Sequence, residues 1–266
     1  MMQAWRKMIG LGLSAVLSMA AMAAENPAPA SFEEKPMAGF APEWRQEEIK
    51  NATGLALAAD ASELTVTGFA DENPTAGGAT VYTLARPVGS GTGDFTATLD
   101  IDWDLLDNAF MGEVMLQAVT TDGKIAAEVG ITDQWIAYQG RAGAWIGQPR
   151  QGEALAVPLK AGGAFTIVRQ GDEYTIRLRD WKLAGGKGTT DPVTALRLVF
   201  KHLRYAGSDK LPASHFGRFT VKRIAFAPGV PAVAPVAEKA EAKQWTLGEP
   251  IIWYWAGPDM SEEFAA

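Results

Sequence analysis

The stretch Asp94 to Asp104, "DFTATLDIDWD", sets Phe95, Ala97, Leu99, Ile101 and Trp103 in strict alternation with Asp94, Thr96, Thr98, Asp100, Asp102 and Asp104. Successive side chains of a β-strand point to opposite faces, so this is a strand with one apolar and one polar face. It belongs to a sheet that is buried on one side and wet on the other. Trp103 shares parity with Leu99 and Ile101, and its expected place is the core.

The same signature recurs on both sides of this strand. Leu55 and Leu57 precede a turn at Ala59-Asp60, Leu64 and Val66 follow, and Gly77-Gly78 comes before Val81 and Leu84. Downstream, "EVMLQAV" and "KIAAEVGI" flank Thr121-Asp122-Gly123, where Asp-Gly supplies the positive φ angles of a tight hairpin. A second hairpin reads "AFTIVR", Gln170-Gly171-Asp172, "EYTIRL", with Phe165, Ile167, Tyr174, Ile176 and Leu178 on one face. Two further strands are "TALRLVF" and "FTVKRIAF". Ten or so short strands and no amphipathic helix before residue 230 predict an all-β domain. Because each one-sided sheet must cover its apolar face, the expected form is a two-sheet antiparallel sandwich over residues 44–228.

The flanks have other compositions. Arg6 and Lys7, an apolar run from Met8 to Met22, and Ala21-Met22-Ala23 describe a secretory signal peptide over 1–23, with the mature chain starting at Ala24. The run is too short and too small-residue-rich for a membrane span. The expected location is therefore outside the cytoplasm, periplasmic or extracellular. Residues 24–43 mix Pro, Ala and Glu without period and read as an extended leader, and 229–246 read as a Pro/Ala-rich linker. In 247–266, the continuous apolar run Ile251 to Trp255 precedes Gly257-Pro258, Asp259 as an N-cap and Glu262 three residues on. That is a strand, a loop and the start of a helix, and it resembles the first βα unit of a (β/α)₈ glycosidase barrel. The expected parent is then a longer glycan-degrading protein whose downstream domain is this module's partner.

Removing Arg6 and Lys7 from the 24 basic side chains leaves 22 against 31 acidic ones, a net charge of about −9. This balance argues against nucleic acid and anionic membranes, which call for clustered Lys and Arg. With no cysteine, disulfides, thiolate metal sites and Cys nucleophiles are excluded.

Taken in order, "GDFTATLDIDWD", "GKIAAEVGITDQW", "FTIVRQGDEYTIRL" and "FGRFTVKRIAF" resemble the concanavalin A-like lectin/glucanase superfamily, in particular its laminin-G-like jelly-roll domains, over roughly Trp44 to Pro228. The resemblance implies a jelly roll that hosts either sugar-binding modules or β-glucanases, so function rests on the site. Retaining glucanases of this fold carry an E-x-D-x-x-E-like run, and none exists in this sequence. The weak catalytic candidates are Asp102, Asp104 and Glu128, as a sheet-face acid cluster. An alternating Asp series could also hold Ca²⁺, but no specific motif supports a metal or any other cofactor, and a solvated sheet face explains the acids more simply. Of the two histidines, His202 is expected as a satisfied surface or edge residue. "GGKGTT" at 185–190 has no helix after it and reads as a mobile hairpin loop rather than a phosphate loop.

Sugars present C–H faces that stack on aromatic rings. Trp135, Tyr138 and Trp145, in a Gly-punctuated stretch, and Trp181 are therefore the candidate carbohydrate-binding residues, with core packing as the competing role. The functional expectation is an exported, non-catalytic carbohydrate-binding or accessory module whose partner is a polysaccharide. The alternatives are a glycoside hydrolase or lyase acting from the acid cluster, and an envelope structural protein without a glycan ligand.

Overall fold

A computed structural model describes residues 31–36, 39–58, 63–73, 78–105, 112–132, 139–147, 151–204 and 216–229. The expected signal peptide, nearly all of the linker and the 247–266 stub lie outside the described residues, as do Trp135 and Tyr138.

Fifteen strands are described: β1 (Phe32–Glu34), β2 (Arg45–Lys50), β3 (Gly54–Leu57), β4 (Leu64–Ala70), β5 (Gly78–Thr92), β6 (Phe95–Asp104), β7 (Gly112–Thr120), β8 (Ile125–Thr132), β9 (Gln139–Ile146), β10 (Gln151–Pro158), β11 (Lys160–Gln170), β12 (Glu173–Leu178), β13 (Trp181–Lys187), β14 (Val193–Arg204) and β15 (Arg218–Pro228). They form two antiparallel sheets. The first runs β13-β12-β11-β6-β15-β4-β3, and the second β10-β9-β8-β7-β14-β5-β2. Strand β15 is long enough to pair with β4 through Phe219–Val221 and with β1 through Ile224–Phe226. This is the all-β, two-sheet antiparallel sandwich that the alternation predicts, in the form the jelly-roll resemblance implies.

The core lies between the sheets. Along β6 burial alternates at every residue, with Phe95, Ala97, Leu99, Ile101 and Trp103 inside. Trp103 also donates its indole N–H to the Pro158 carbonyl at 2.8 Å, which satisfies the polar atom that the ring carries into the core. From the other sheet Val114, Leu116, Val129, Ile131, Leu198 and Phe200 face it. Both predicted hairpins form, with φ +79° at Gly123 and +59° at Gly171. At the first of them, Lys124 and Thr120 beside Asp122 hold its carboxyl at a pKa of about 2.

Several elements depart from expectation. Phe32–Glu34, within the stretch read as leader, pairs as β1 because its aromatic and acidic side chains find partners far along the chain. The "GGKGTT" stretch is half strand. Gly185 to Lys187 belong to β13, and the segment after them is fixed by buried Arg169 and Tyr174, which donate to the carbonyls of Thr190 and Thr189. His202 is not at the surface: it shares parity with Leu198 and Phe200, so it points inward. There its Nδ1 lies 2.8 Å from Glu72 Oε1, Thr80 donates to the same oxygen, and the Phe69 ring stacks on the imidazole.

Candidate functional site

The two outer faces of the sandwich differ. On the first sheet, Asp100, Asp102 and Asp104 project from β6 with intermediate exposure. Lys222 lies 2.5 Å from Asp102, and Lys160 lies 3.0 Å from Asp104. Lys222 is pushed above its ordinary pKa mainly by its hydrogen bond to Asp102. Half-exposed acids held by exposed lysines make a solvated, charge-balanced face.

The outward residues of the second sheet are buried instead. Met115 and Gln117 on β7, and Glu128 and Thr132 on β8, are all buried although they point away from the core. Register places Arg197, Gln117, Glu128, Trp145 and Gly152 in one row across β14, β7, β8, β9 and β10. Within that row Glu128 is 1% exposed and accepts a 2.9 Å hydrogen bond from Gln117 Nε2. Neighbouring outward charges are paired, Lys201 with Glu113 at 3.2 Å and Arg197 with Glu47.

Trp145 completes the row, and its orientation depends on a glycine. Gly143 and Trp145 lie two residues apart and so share a face. A Cβ placed on Gly143 would stand 2.1 Å from the indole Cη2 and 2.4 Å from Cζ3. The six-membered ring therefore lies over Gly143, in a position that any side chain at 143 would block.

These positions separate the acids named from sequence. Asp102 and Asp104 lie on the outer face of one sheet and Glu128 on that of the other, with the sandwich of about 10 Å sheet spacing between them. They do not form one cluster. On the Glu128 face the nearest carboxylate along β7 is Glu113, four residues from Gln117 and hence about 13 Å along the strand. A glycosidase needs its two carboxyls about 5–9.5 Å apart. Among the described residues no group of three or more His, Asp or Glu side chains could hold a metal ion. No helix among them is long and apolar enough to cross a membrane.

Of the aromatic candidates, Trp145 belongs to the row on the second sheet, whereas Trp181 opens β13 at the far edge of the first sheet and is 43% exposed. Gln117 and Gly143 were missed in the sequence. Gln117 was legible as the one polar residue in "VMLQAV". Gly143 was legible only as a parity partner of Trp145.

The architecture is a two-sheet antiparallel β-sandwich. The sequence matches no family model and no curated protein. Among solved structures it is similar to the Emp47p carbohydrate recognition domain (TM-score 0.49, 9% identity, covering 78% of this chain and 99% of that one). It is also similar to a non-specific endo-β-1,3(4)-glucanase from family GH16 (TM-score 0.48, 13% identity, 76% and 93%) and to Bacillus licheniformis β-glucanase (TM-score 0.44, 9% identity, 76% and 99%).

Proposed function

We propose that this protein is an exported, non-catalytic carbohydrate-binding module that holds a polysaccharide against the outer face of its second sheet. The carrying observation is the indole of Trp145 lying over Gly143 in the same row as the Gln117–Glu128 pair. An indole on an outer sheet face offers its ring to sugar C–H groups. The separation of Glu113 from the Glu128 row favours binding over hydrolysis. The Pro/Ala-rich composition after residue 229 supports a place beside a further domain of a polysaccharide-degrading protein.

Affinity gel electrophoresis of the mature chain on glucan, xylan and galactan gels tests this. Retardation on at least one is expected. Trp145→Ala should weaken it by about 2 kcal/mol, roughly thirtyfold, the scale of a tryptophan anchor. Gly143→Ala should do nearly as much while leaving the tryptophan in place, because the new methyl displaces the ring. Migration unchanged on every gel would defeat the proposal.

One observation favours a second reading: a carboxylate as buried as Glu128, beside an aromatic ring, is the environment of a general acid. Release of reducing sugar by the wild type that is abolished in Glu128→Gln would establish it.

A further inference from the structure

Where the sandwich is open, the free edge of β13 faces β9 and β10 across a cleft of about 300 Å³, with Ile146 and Gly152 on one side and Lys182 to Lys187 on the other. We propose that this cleft takes an acidic sugar unit, a uronate or a sulfated residue, of the same polymer that lies on Trp145. It rests on the Trp145 reading for the course of the chain, and on its own charges for the ligand.

Those charges are arranged in a way that costs stability without an anion. Arg177 and Lys182 stand directly opposite each other across β12 and β13, and like charges in that position repel. Neither meets a carboxylate among the described residues. Arg177 donates to the Asp180 carbonyl at 3.4 Å, and Lys182 enters no ion pair among the described residues. Lys182 is instead folded back over Gly185, where a Cβ would lie 2.5 Å from Nζ, so the glycine gives the ammonium its place at the cleft. The next cation, Arg179, donates to the Gly162 carbonyl. Three cations within Arg177–Lys182, with no carboxylate partner among the described residues, stand out on a chain of net charge −7. Lys187 differs, being paired with Asp172 at 2.9 Å.

One further feature selects an anionic sugar over another anion: the cleft is continuous with the Trp145 row. Gly152 is the register partner of Trp145 and lines the cleft. A Cβ at Gly152 would stand 1.9 Å from the Ala144 carbonyl oxygen, so this edge stays bare. The path from indole to cleft spans about two strand spacings, roughly 10 Å.

The test is isothermal titration of the mature chain with polygalacturonate (carboxylate), λ-carrageenan (sulfate) and lichenan (neutral). One of the two acidic polymers should bind more tightly than lichenan and lose affinity with added salt. Lys182→Glu should weaken that binding about tenfold, with lichenan unaffected. Lys182 is exposed, and unchanged thermal unfolding checks the fold. Trp145→Ala should weaken acidic and neutral polymers alike. If acidic polymers bind no better than lichenan, or bind equally to Lys182→Glu, the cleft assignment is wrong while the Trp145 site stands. If no polymer of any kind binds, both are wrong.

Discussion

Replacing Arg169 with methionine should destabilise the domain by about 3–5 kcal/mol, seen as a fall in Tm of roughly 10 °C. The side chain is 2% exposed, among the largest fully buried in the protein. Its guanidinium spreads three donors over three backbone carbonyls: Nε to Gly171 at 3.0 Å, Nη1 to Asp191 at 2.7 Å and Nη2 to Thr190 at 2.6 Å. Beside it, burial pushes the Tyr174 hydroxyl above its ordinary pKa, so it stays protonated and donates to Thr189 at 2.9 Å. Together they tie the connection between β13 and β14 to the end of β11, and thereby set where the cleft-lining strand leaves its sheet. Methionine keeps most of the apolar stem but strips three carbonyls of their donors, each worth about 1–3 kcal/mol when buried. Lysine would restore the charge but not the planar fork, and should recover less than half of the loss. Urea denaturation decides the matter. If Arg169→Met shifted the midpoint by under about 1 kcal/mol, the side chain would be a packing filler rather than a clamp.

The second large effect is expected at Glu34. Its carboxylate accepts from the Trp44 indole N–H at 2.7 Å, from the Ala41 backbone N–H at 2.8 Å and from Arg86. The Arg86 guanidinium in turn lies 3.7 Å over the Phe32 ring, and Phe32 stacks on Phe226. Glu34 sits on β1 of the first sheet, whereas Arg86 is on β5 and Trp44 leads into β2 of the second, so one carboxylate joins the two sheets near the amino-terminal strand. Both charged side chains are largely buried, at 12% for Glu34 and 15% for Arg86. Glu34→Ala should therefore cost about 3 kcal/mol, mostly because Arg86 is left desolvated without a counter-charge. Adding Arg86→Met should recover part of that loss, since the double variant leaves no unpaired charge. Additive losses in this double-mutant cycle would mean that the two residues act independently.

Neither clamp was legible in the sequence, although much of the frame was. The alternation of Phe95 to Asp104 determined both the strand and the face each side chain takes, because a two-residue period admits one solution once one face is buried. The hairpins at Asp122-Gly123 and Gln170-Gly171-Asp172 were equally plain, since positive φ at those glycines is a local property. Strands β2 and β13 were not. "RQEEIK" has almost no apolar face, and "WKLAGGK" carries two glycines, because both are edge strands stabilised by a neighbour's hydrogen bonds rather than by their own pattern.

The site divides along the same line. From sequence alone came an all-β sandwich, an acidic chain without cysteine, and a short list of aromatic and acidic candidates, because composition and parity are carried by neighbours along the chain. Only the tertiary structure decided that Asp102 and Asp104 belong to one outer face and Glu128 to the other, since which sheet a strand joins depends on pairings between residues far apart in the chain, such as Pro228 with Phe95 between β15 and β6. It also decided that the Trp145 ring lies over Gly143, and that Lys182 lines a cleft. Those facts depend on what stands across the strand or beneath the ring, which a linear pattern does not record.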